Sequence, residues 1–482
     1  MHRGLVFAAS IAVALFSGAA NAQDARAALT KGCRFYHSLA RHGGYVWRYS
    51  KDLKLSEGEG ETDAHTVWVQ PPGTPTVGHA FLDAWQVTGD QQFLTMARET
   101  AGALLAGQLQ SGGWHYSIHF APDERAQRGY RSNKTYKPQR RGRDRNNITT
   151  LDDDTTTAAL RFLMRVDREF TTRGEKNAAI AESIRFGLNA VIAAQAPNGG
   201  WRQNWDRYPK PLSERAFPIR KATYPEEWSR KWLNDWRGKY YLNDDVIGQT
   251  IRTMLDAWET YGDETYLASA KRGGDFLLLA QMPEPQPAWA QQYDELMHPV
   301  WDRKFEPPAI SSMESRFAVT ALLDLTERTG DRKYLKPIPS AIAYLAKSEL
   351  RAGRAARFYE LQTNRPLYFT RNTYQLTYDG SDVPTHYGFV VDSGVKQLRG
   401  RYQRVKAGKA VPANSRPTSR TVQQIIARQD KRGGWLDKRG MRGFRKASQE
   451  GVYQSDTFAG NILTLCEYLD PEIRTSRNPP PR

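Results

Sequence analysis

Cysteine and histidine are scarce in this 482-residue chain, which has two cysteines and nine histidines. The histidines show no spacing typical of metal ligands, so we assign them to packing and surface roles rather than to a zinc site. Two cysteines are too few for a small disulfide-stapled domain. Cys33 and Cys466 lie near opposite ends of the chain, and the sequence leaves open whether they form a disulfide or remain free thiols.

Long apolar runs are also absent beyond the amino terminus. Residues 5–20 form the one such run, which follows Met1-His2-Arg3 and leads into Ala20-Asn21-Ala22. A basic start, an apolar stretch and small residues at the cleavage position predict a secretory signal peptide over residues 1–22, cleaved near Ala22. We therefore expect a secreted or periplasmic protein without a membrane-spanning segment.

Negative charge is in short supply, since 69 lysines and arginines face 52 acidic residues and the formal net charge is +17. No glycine-rich phosphate loop and no Ser-His-Asp order stands out, which disfavours a nucleotide-dependent enzyme or a serine hydrolase. The charge favours an acidic partner, and secretion favours an anionic polysaccharide or lipopolysaccharide over nucleic acid. The alternative is that the charge serves solubility alone. We expect a monomer.

The chain does contain an irregular internal repeat, in which a glycine pair and an aromatic residue follow a helical segment. The copies are Gly43-Gly44-Tyr45, Gly112-Gly113-Trp114, Gly199-Gly200-Trp201 and Gly433-Gly434-Trp435. A glutamine precedes the last three by four residues, at Gln108, Gln195 and Gln429, and a weaker copy joins Gln281 to Pro287-Ala288-Trp289. The repeat indicates units built from pairs of helices.

Apolar stripes of helical period lie between these turns, and three helices end in a similar Gly-Asp turn. The turns are Thr88-Gly89-Asp90, Tyr261-Gly262-Asp263 and Thr329-Gly330-Asp331, where glycine suits the left-handed cap and aspartate begins the next helix. Strand patterns are scarce. We predict an all-α (α/α) toroid of helix hairpins with functional loops at one rim, with a catalytic domain over residues 23–400 and a basic segment over residues 401–482 that completes it.

Two segments interrupt the repeat, residues 121–147 and 396–446. Both are rich in lysine and arginine, and the first has almost no aliphatic residues, so it is predicted to be a basic loop. A short helical pattern over residues 422–427 interrupts the second. Each segment is either a solvated surface or a guide for an anionic substrate.

Acidic residues cluster at the starts of two predicted helices. Asp152-Asp153-Asp154 precedes one, and Asn243-Asp244-Asp245 precedes another. One aspartate can serve as a helix cap, but three in a row repel one another unless a cation offsets them. Corresponding helix starts lie on the same rim of a ring of hairpins. Asp152, Asp153 and Asp244 are therefore candidate calcium ligands.

Two further groups suggest uronate chemistry. Arg303 lies in a loop rich in aromatic and charged residues, and residues 354–371 carry several arginines interleaved with tyrosines. Arginine binds carboxylates in a bidentate manner, and tyrosines can cover the flat faces of sugar rings. Arg357, Arg371 and Tyr359 are thus candidates for substrate binding. Surface ion pairing is the alternative.

Taken together, these motifs resemble the pectate lyases of polysaccharide lyase family 10 over roughly residues 72–378. The matching motifs are residues 289–294, 303–307 and 356–359, the Asp152 cluster, Gly199-Gly200-Trp201 and Asn243-Asp244. The resemblance implies calcium-assisted β-elimination of polygalacturonate, with Arg303 as the base. It further implies a calcium and substrate site at Asp152 and Asp244, with Arg357 and Arg371 holding substrate carboxylates. Trp201 and Lys304 are added as candidate substrate contacts.

Two departures from the family pattern are an asparagine position occupied here by Asp153, and an insertion over residues 212–239. Arginine is a weak base candidate because its pKa lies above about 12. We expect Lys304, other arginines and the metal to lower the pKa of Arg303 and to give an alkaline activity optimum.

Three other functions remain open. A glycoside hydrolase on the same ring would use residues 152–154 with Glu306 or Glu360 as acid and base, and would give saturated products. A binding module would bind anionic polysaccharide without turnover. A terpene cyclase shares glutamine-tryptophan repeats, but Leu151 occupies the place of its leading aspartate.

Overall fold

The computed structural model describes residues 21–410, 416–438, 440–443 and 450–473. The predicted signal peptide lies outside these residues except for Asn21 and Ala22. The described residues form thirteen α-helices: α1 (Ala22–Ser38), α2 (Thr74–Thr88), α3 (Gln91–Gly107), α4 (Pro122–Gln127), α5 (Thr155–Thr172), α6 (Ala178–Ala193), α7 (Val246–Tyr261), α8 (Glu264–Ala280), α9 (Ser312–Thr329), α10 (Ile338–Lys347), α11 (Val395–Lys406), α12 (Ser419–Arg428) and α13 (Ser455–Leu469). None of them is long and apolar enough to cross a membrane.

The long helices form two concentric layers, as the (α/α) toroid prediction requires. In the inner layer, α13, α2, α5, α7, α9 and α11 pack side by side in that order. The outer layer consists of α1, α3, α6, α8, α10 and α12, each packed against one or two inner helices. Because α13 contacts both α1 and α2, the two ends of the described chain meet. The fold is an all-α toroid of helix hairpins.

The glutamine of each repeat connects one unit to the next. Its side-chain amide donates to a carbonyl in its own turn, as Gln195 does to Gly199 (2.9 Å), and to a carbonyl of the next outer helix, as Gln195 does to Ser269 (3.0 Å). The other copies make the same pairs of bonds, from Gln108 to Gly112 and Ser183, from Gln281 to Pro287 and Pro337, and from Gln429 to Gly433 and Ala28. The bond to Ala28 joins α12 to α1, so the repeat continues from the end of the chain to its beginning.

The tryptophan of each repeat is a core residue. The indole of Trp201 is fully buried and donates to the carbonyl of Val191 in the preceding outer helix (2.9 Å). The same bond is made by Trp114, Trp289 and Trp435 to Leu104, Leu277 and Ile425. Glycine is required beside it, because a Cβ on Gly199 would lie 2.0 Å from the carbonyl oxygen of Arg272. Burial of the indole and close backbone approach thus hold each turn against its neighbours.

The predicted Gly-Asp turns are confirmed. Gly89, Gly262 and Gly330 end α2, α7 and α9 in the left-handed conformation. The aspartate that follows each of them accepts a hydrogen bond from a backbone N–H of the next helix, as Asp263 does from Thr265 (2.8 Å). These turns reverse the chain between inner and outer helices.

Arginine–carboxylate pairs connect the inner helices. Arg165 of α5 contacts Asp83 of α2 at 3.0 Å, and Asp324 of α9 accepts from Arg252 of α7 (2.9 Å) and Arg401 of α11 (2.5 Å). Removing one partner of a buried pair leaves an uncompensated charge, which costs about 3–5 kcal/mol. These pairs therefore constrain how the inner helices are aligned.

The described residues also form seventeen short strands in the connections, which were not predicted because two to four residues are too few to show alternation. They are β1 (Arg48–Ser50), β2 (Ser56–Glu57), β3 (Thr66–Trp68), β4 (Ser117–His119), β5 (Thr149–Thr150), β6 (Asn204–Trp205), β7 (Tyr240–Tyr241), β8 (Gln292–Tyr293), β9 (Ala309–Ser311), β10 (Glu349–Arg351), β11 (Arg354–Ala356), β12 (Phe358–Glu360), β13 (Pro366–Phe369), β14 (Leu376–Thr377), β15 (Val390–Asp392), β16 (Leu436–Asp437) and β17 (Val452–Gln454). The sheets are antiparallel, ordered β16-β17-β1-β2, β10-β11-β15, β14-β13-β12-β9, β3-β4, β5-β6 and β7-β8.

Three of these pairings position the loops of the candidate site. Thr149 pairs with Trp205 and Tyr240 with Tyr293, just ahead of the two acidic helix starts, and Phe358 pairs with Ser311. The basic loop predicted over residues 121–147 is confirmed, apart from the short α4. In the second basic segment, α12 confirms the helical pattern predicted over residues 422–427, and α11 is a further helix that was not predicted.

The two cysteines lie in helices that pack together. Cys33 of α1 and Cys466 of α13 are both buried free thiols, and burial raises the pKa of each.

Candidate active site

Two turns with the same unusual backbone begin α5 and α7. Each is a 3₁₀ turn, Asp152–Asp154 in one case and Asn243–Asp245 in the other. In both, the second and third residues have positive φ, 49° and 59° at Asp153 and Asp154, and 46° and 63° at Asp244 and Asp245. Left-handed backbone costs a non-glycine residue about 1–2 kcal/mol and is tolerated best by asparagine and aspartate. The packing against neighbouring elements must therefore compensate for two such turns.

The turns bring three carboxylates together. One oxygen from each of Asp152, Asp153 and Asp244 lies within 4.8 Å of the other two, so the predicted meeting of the two acidic helix starts on one rim is confirmed. Burial, followed by repulsion from neighbouring acids, raises the pKa of Asp153 to about 7 and that of Asp244 to about 8. The raised pKa values show that the surrounding residues do not supply enough positive charge to neutralise the three carboxylates.

The cluster has the donor set of a divalent cation site. Asp152 accepts a hydrogen bond from the Tyr116 hydroxyl on Oδ2 (2.6 Å), while its Oδ1 is buried without a hydrogen bond from the described residues. Gln70 donates to Asp153 (2.8 Å) and Asn243 to Asp244 (2.7 Å), which orients both carboxylates. Carboxylate oxygens are the ligands that calcium and magnesium prefer. The three aspartates therefore fit a hard divalent cation.

The aspartate at the third position of each turn is neutralised by an arginine seven residues further on. Asp154 pairs with Arg161 at 2.6 Å, and Asp245 pairs with Arg252. Burial raises the pKa of Asp245 to about 6 even though the Arg252 charge acts in the opposite direction. These two aspartates hold the turn to its own helix, a role that the shared spacing to arginine could have indicated.

Arg303 is held in a fork by Glu306. Its Nε donates to Oε2 at 2.7 Å and its Nη2 to Oε1 at 2.6 Å, while Gln291 (2.8 Å) and Tyr387 (2.9 Å) donate to the same Oε1. Glu306 and Tyr387 therefore fix the plane of the guanidinium. Sequence reasoning missed this role for both residues. Tyr387 is distant in sequence, whereas the three-residue spacing between Arg303 and Glu306 was a local signal that could have indicated their pairing.

The expected lowering of the Arg303 pKa is wrong. Burial works against its charge, but the hydrogen bonds and charge of Glu306 outweigh burial, so the pKa of Arg303 lies above its ordinary value. Lys304 does not counteract the effect of Glu306 on Arg303, because the Lys304 ammonium is directed to Tyr374 and lies 3.6 Å from the centre of that ring. Lys304 is exposed on the side of Tyr374 rather than paired with Arg303.

Arg357 lies beside the acidic cluster. Its Nη2 is 4.0 Å from Asp244 and 3.4 Å from Glu314, and its guanidinium lies 4.3 Å from the centre of the Tyr387 ring. The residue enters β12, whose pairing with β9 places it over the start of α9. Arg303 and Arg357 therefore both contact the ring of Tyr387, and both lie beside the three carboxylates. Glu314 is a further site residue that the sequence did not indicate.

Two predicted sugar contacts are wrong. Trp201 is fully buried as one copy of the repeat, and Tyr359 is buried with its hydroxyl bonded to Ser348 and to the backbone N–H of Ala356 (3.0 Å). Neither ring can reach a ligand without unfolding its surroundings. The repeat carried the signal for Trp201, since Trp114 and Trp289 occupy equivalent positions.

Arg371 is not brought to the cluster. It lies between β13 and β14, half exposed, and its Nε pairs with Asp382 at 2.7 Å. Its predicted part in holding a substrate carboxylate therefore has no geometric support from the aspartates or from Arg303.

A cleft of about 310 Å³ opens beside the cluster. Asp152, Asn243 and Arg303 line its base, with Asp302 next to Arg303. Burial, followed by repulsion from Glu306, raises the pKa of Asp302 to about 7. The other lining residues are Arg143, Arg202, Gln203, Asn204, Trp236, Gly238 and Tyr241. The cleft thus combines arginines, acids and an indole, which suits an anionic sugar chain.

Comparison with known proteins adds a family assignment. A family profile described as pectic acid lyase matches residues 108–355, just over half of the chain. Among solved structures, a mutant family 10 polysaccharide lyase from Cellvibrio cellulosa, in complex with trigalacturonic acid, is 17% identical, with 68% of this chain and 98% of that chain covered and a TM-score of 0.44. A sugar epimerase from a ruminal bacterium is 11% identical (93% and 98% covered, TM-score 0.48), and a D-mannose isomerase is 12% identical (92% and 97% covered, TM-score 0.48). Among curated proteins, none matches the sequence.

Proposed function

The chain belongs to the pectic acid lyase family, and from that premise we propose that it is a secreted lyase that cleaves polygalacturonate by calcium-assisted β-elimination. One observation carries the proposal: three carboxylates lie within 4.8 Å of one another, and one of them, Asp152, lines a cleft together with Arg303, which Glu306 fixes in position. A net charge of +17 supports an anionic polymer substrate, and the signal peptide predicted over residues 1–22 supports secretion.

The reaction breaks two bonds of a galacturonate residue. In the proposed step, Arg303 takes the proton from C5, next to the carboxylate, a C4–C5 double bond forms, and the C4–O bond to the next sugar breaks. The departing oxygen takes a proton from water, and Arg303 releases the proton it accepted back to water. Asp152, Asp153 and Asp244 would hold calcium, which supplies positive charge that stabilises the negative charge developing on the substrate carboxylate. Arg357, beside the cluster, is positioned to add a second cation to that carboxylate.

The ion pair between Arg303 and Glu306 affects how activity should depend on pH. An arginine with a raised pKa keeps its proton at neutral pH, so the neutral base form becomes commoner as pH rises. We therefore expect activity to increase towards alkaline pH. The fork from Glu306 holds the guanidinium in one orientation, which favours proton transfer over a freely rotating side chain.

The hydrolase alternative loses its two glutamate candidates for the general acid, which leaves Asp153, whose pKa is raised to about 7, as its remaining candidate. Burial raises the pKa of Glu306, but the hydrogen bonds from Arg303 outweigh burial and keep that pKa below its ordinary value. Glu360 is held in the same way by Thr363, Arg230 and Tyr378. A general acid of a hydrolase needs a raised pKa, and neither glutamate has one.

The direct test is to digest polygalacturonate with and without calcium and to follow the ultraviolet absorbance of the new conjugated double bond. We expect product with calcium, almost none with a chelator, and loss of product in Arg303→Lys. Arg220→Lys, at an exposed position away from the cleft, is the matched control and should retain activity. Saturated products would instead establish hydrolysis, and activity retained in Arg303→Lys would assign the base to another residue.

A further inference from the structure

The insertion that the family pattern leaves without a role forms a strap over the active-site loop. The tryptophan strap, defined as residues 206–239, runs from β6 to β7. The Trp232 indole donates to the carbonyl of Asp302 (2.7 Å), and the carbonyl of Ser229 accepts from the Trp301 indole (2.7 Å). Arg230 forms an ion pair with Glu360. The strap is thus attached to the segment that immediately precedes Arg303.

The strap presents Trp236 to the cleft. This indole lines the cleft together with Arg303, yet it is 53% exposed, one of the few large apolar side chains left in solvent. The backbone of Trp236 has a positive φ of 46°. The indole N–H donates to the side-chain oxygen of Asn234 (2.5 Å), and the ring packs edge-on against Trp232 with 6.2 Å between the ring centroids. An exposed aromatic ring that is already fixed loses little conformational entropy when a flat apolar face covers it. The face of a pyranose ring is such a surface.

Two arginines line the same cleft from other elements. Arg143 comes from the basic loop and donates to Asn204 (2.6 Å), and Arg202 directly follows the buried Trp201 of the repeat turn. Both are exposed, and neither forms an ion pair with an acid of the described residues. Arginine binds carboxylates with two parallel hydrogen bonds. The cleft therefore has two cations to spare for an anionic ligand.

We propose that Trp236, Arg143 and Arg202 form a subsite for a second uronate residue of the polymer, next to the residue that reacts at Arg303. Trp236 stacks on the pyranose face, and the two arginines bind the free carboxylate. The inference rests on the proposed function and makes it more specific: the preferred substrate carries an unesterified uronate beside the cleaved bond. Methyl esterification at that residue removes the charge that the arginines recognise.

The test compares Trp236→Ala and Arg202→Ala with Leu233→Ala and Arg220→Ala, two exposed strap positions that do not line the cleft. We measure KM and kcat on polygalacturonate, and binding of a saturated galacturonate trimer by calorimetry with a chelator present to prevent turnover. Each cleft variant should weaken trimer binding and raise KM by about 10-fold, the loss expected for one hydrogen bond to a charged group in Arg202→Ala and for one aromatic stacking contact in Trp236→Ala. The controls should stay within about twofold of the wild type.

Methyl esterification of the substrate distinguishes the contribution of the two arginines from that of the Trp236 indole. The wild type should lose activity as methyl esterification of the polymer increases, and the double variant Arg143→Ala/Arg202→Ala should lose that discrimination. Trp236→Ala should keep it. If an alanine variant fails to fold, Trp236→Leu and Arg202→Gln are used for the same measurements.

The outcomes are distinguishable. An inactive wild type overturns the proposed lyase activity, and trimer binding then tests the subsite by itself. An active wild type whose cleft variants match the controls in KM and trimer binding overturns the subsite and leaves the lyase activity standing. A lower kcat with unchanged KM and binding also overturns it, because the strap would then only position the Arg303 loop.

Discussion

The turns that begin α5 and α7 share one backbone and differ in their first residue. Both place an aspartate with left-handed φ at the second and third positions, and both pair the aspartate at the third position with an arginine seven residues later. The first position is Asp152 in one turn and Asn243 in the other. Comparison of the two turns thus distinguishes two kinds of aspartate. Those paired with arginine belong to the fold, and those that face the other turn are available to a ligand.

The difference at the first position sets the charge of the site. Asp152 adds a third carboxylate and is held by the Tyr116 hydroxyl, whereas Asn243 contributes an amide that donates to Asp244 at 2.7 Å. One turn therefore supplies two carboxylates and the other supplies one with its orientation fixed. Three negative charges against one divalent cation leave one net negative charge, which the guanidinium of Arg357, 4.0 Å from Asp244, offsets.

The largest effect is expected from Asp244→Asn, which removes the only carboxylate that the second turn supplies to the cluster. A metal that polarises the substrate contributes several kcal/mol to catalysis, so we expect lyase activity to fall by at least about 1000-fold. Calorimetric titration should show calcium binding lost. Asp123→Asn, an exposed acid in α4, is the control. Normal calcium affinity in Asp244→Asn would mean that the two turns do not form one site.

The arginine-paired aspartates should report on stability instead. Arg252→Met leaves Asp245 and Asp324 without the partner they share, and we expect unfolding in denaturant to require about 3–4 kcal/mol less. Arg161→Met leaves only the partly exposed Asp154 and should cost about 1 kcal/mol. Calcium affinity of the folded protein should change little in both. Equal stability losses would show that the two turns are anchored alike.

Asp302 is a third kind of acid for comparison. It is buried in the cleft, forms no ion pair with an arginine of the described residues, and does not belong to the cluster of Asp152, Asp153 and Asp244. Its pKa of about 7 in the folded protein exceeds that of an unfolded aspartate, so the folded state binds the extra proton and stability falls as pH rises from about 4 to 7. Asp302→Asn should therefore stabilise the protein by about 2 kcal/mol at pH 8 and by almost nothing at pH 4. Thermal unfolding at the two pH values measures this. Equal shifts at both would refute the titration of Asp302.

The smallest change makes the turns alike. Asp152→Asn gives the first turn the leading residue of the second and removes one of three negative charges, while the amide can still accept from Tyr116. We expect calcium affinity to fall by about 10-fold, which is about 1.4 kcal/mol, with lyase activity restored by added calcium. A loss as large as that of Asp244→Asn would show that the two positions contribute equally.

Local signals in the sequence predicted most of the ring. The glutamine-glycine-tryptophan turns and the Gly-Asp caps act over a few residues, so they can be recognised without a structure. The acidic helix starts could be placed on one rim because the repeat fixes the direction of each helix. The same repeat should have kept Trp201 out of the substrate site, since its copies are all core residues.

Long-range contacts account for what the sequence did not predict. Tyr387 meets Glu306 across 81 residues, and Trp232 meets Asp302 across 70. No periodicity or spacing encodes such pairs. The error in the Arg303 pKa has a local origin instead, because the prediction counted the cations around Arg303 and missed the carboxylate of Glu306, three residues further along the chain.

Mass spectrometry of the products of polygalacturonate digestion tests the central claim most directly. If two acidic turns hold a cation beside Arg303 for β-elimination, the new chain ends will be unsaturated and one water lighter than hydrolytic products, and they will form with calcium but not with a chelator. Saturated products of full mass, or unsaturated products formed equally well without a divalent cation, would contradict it.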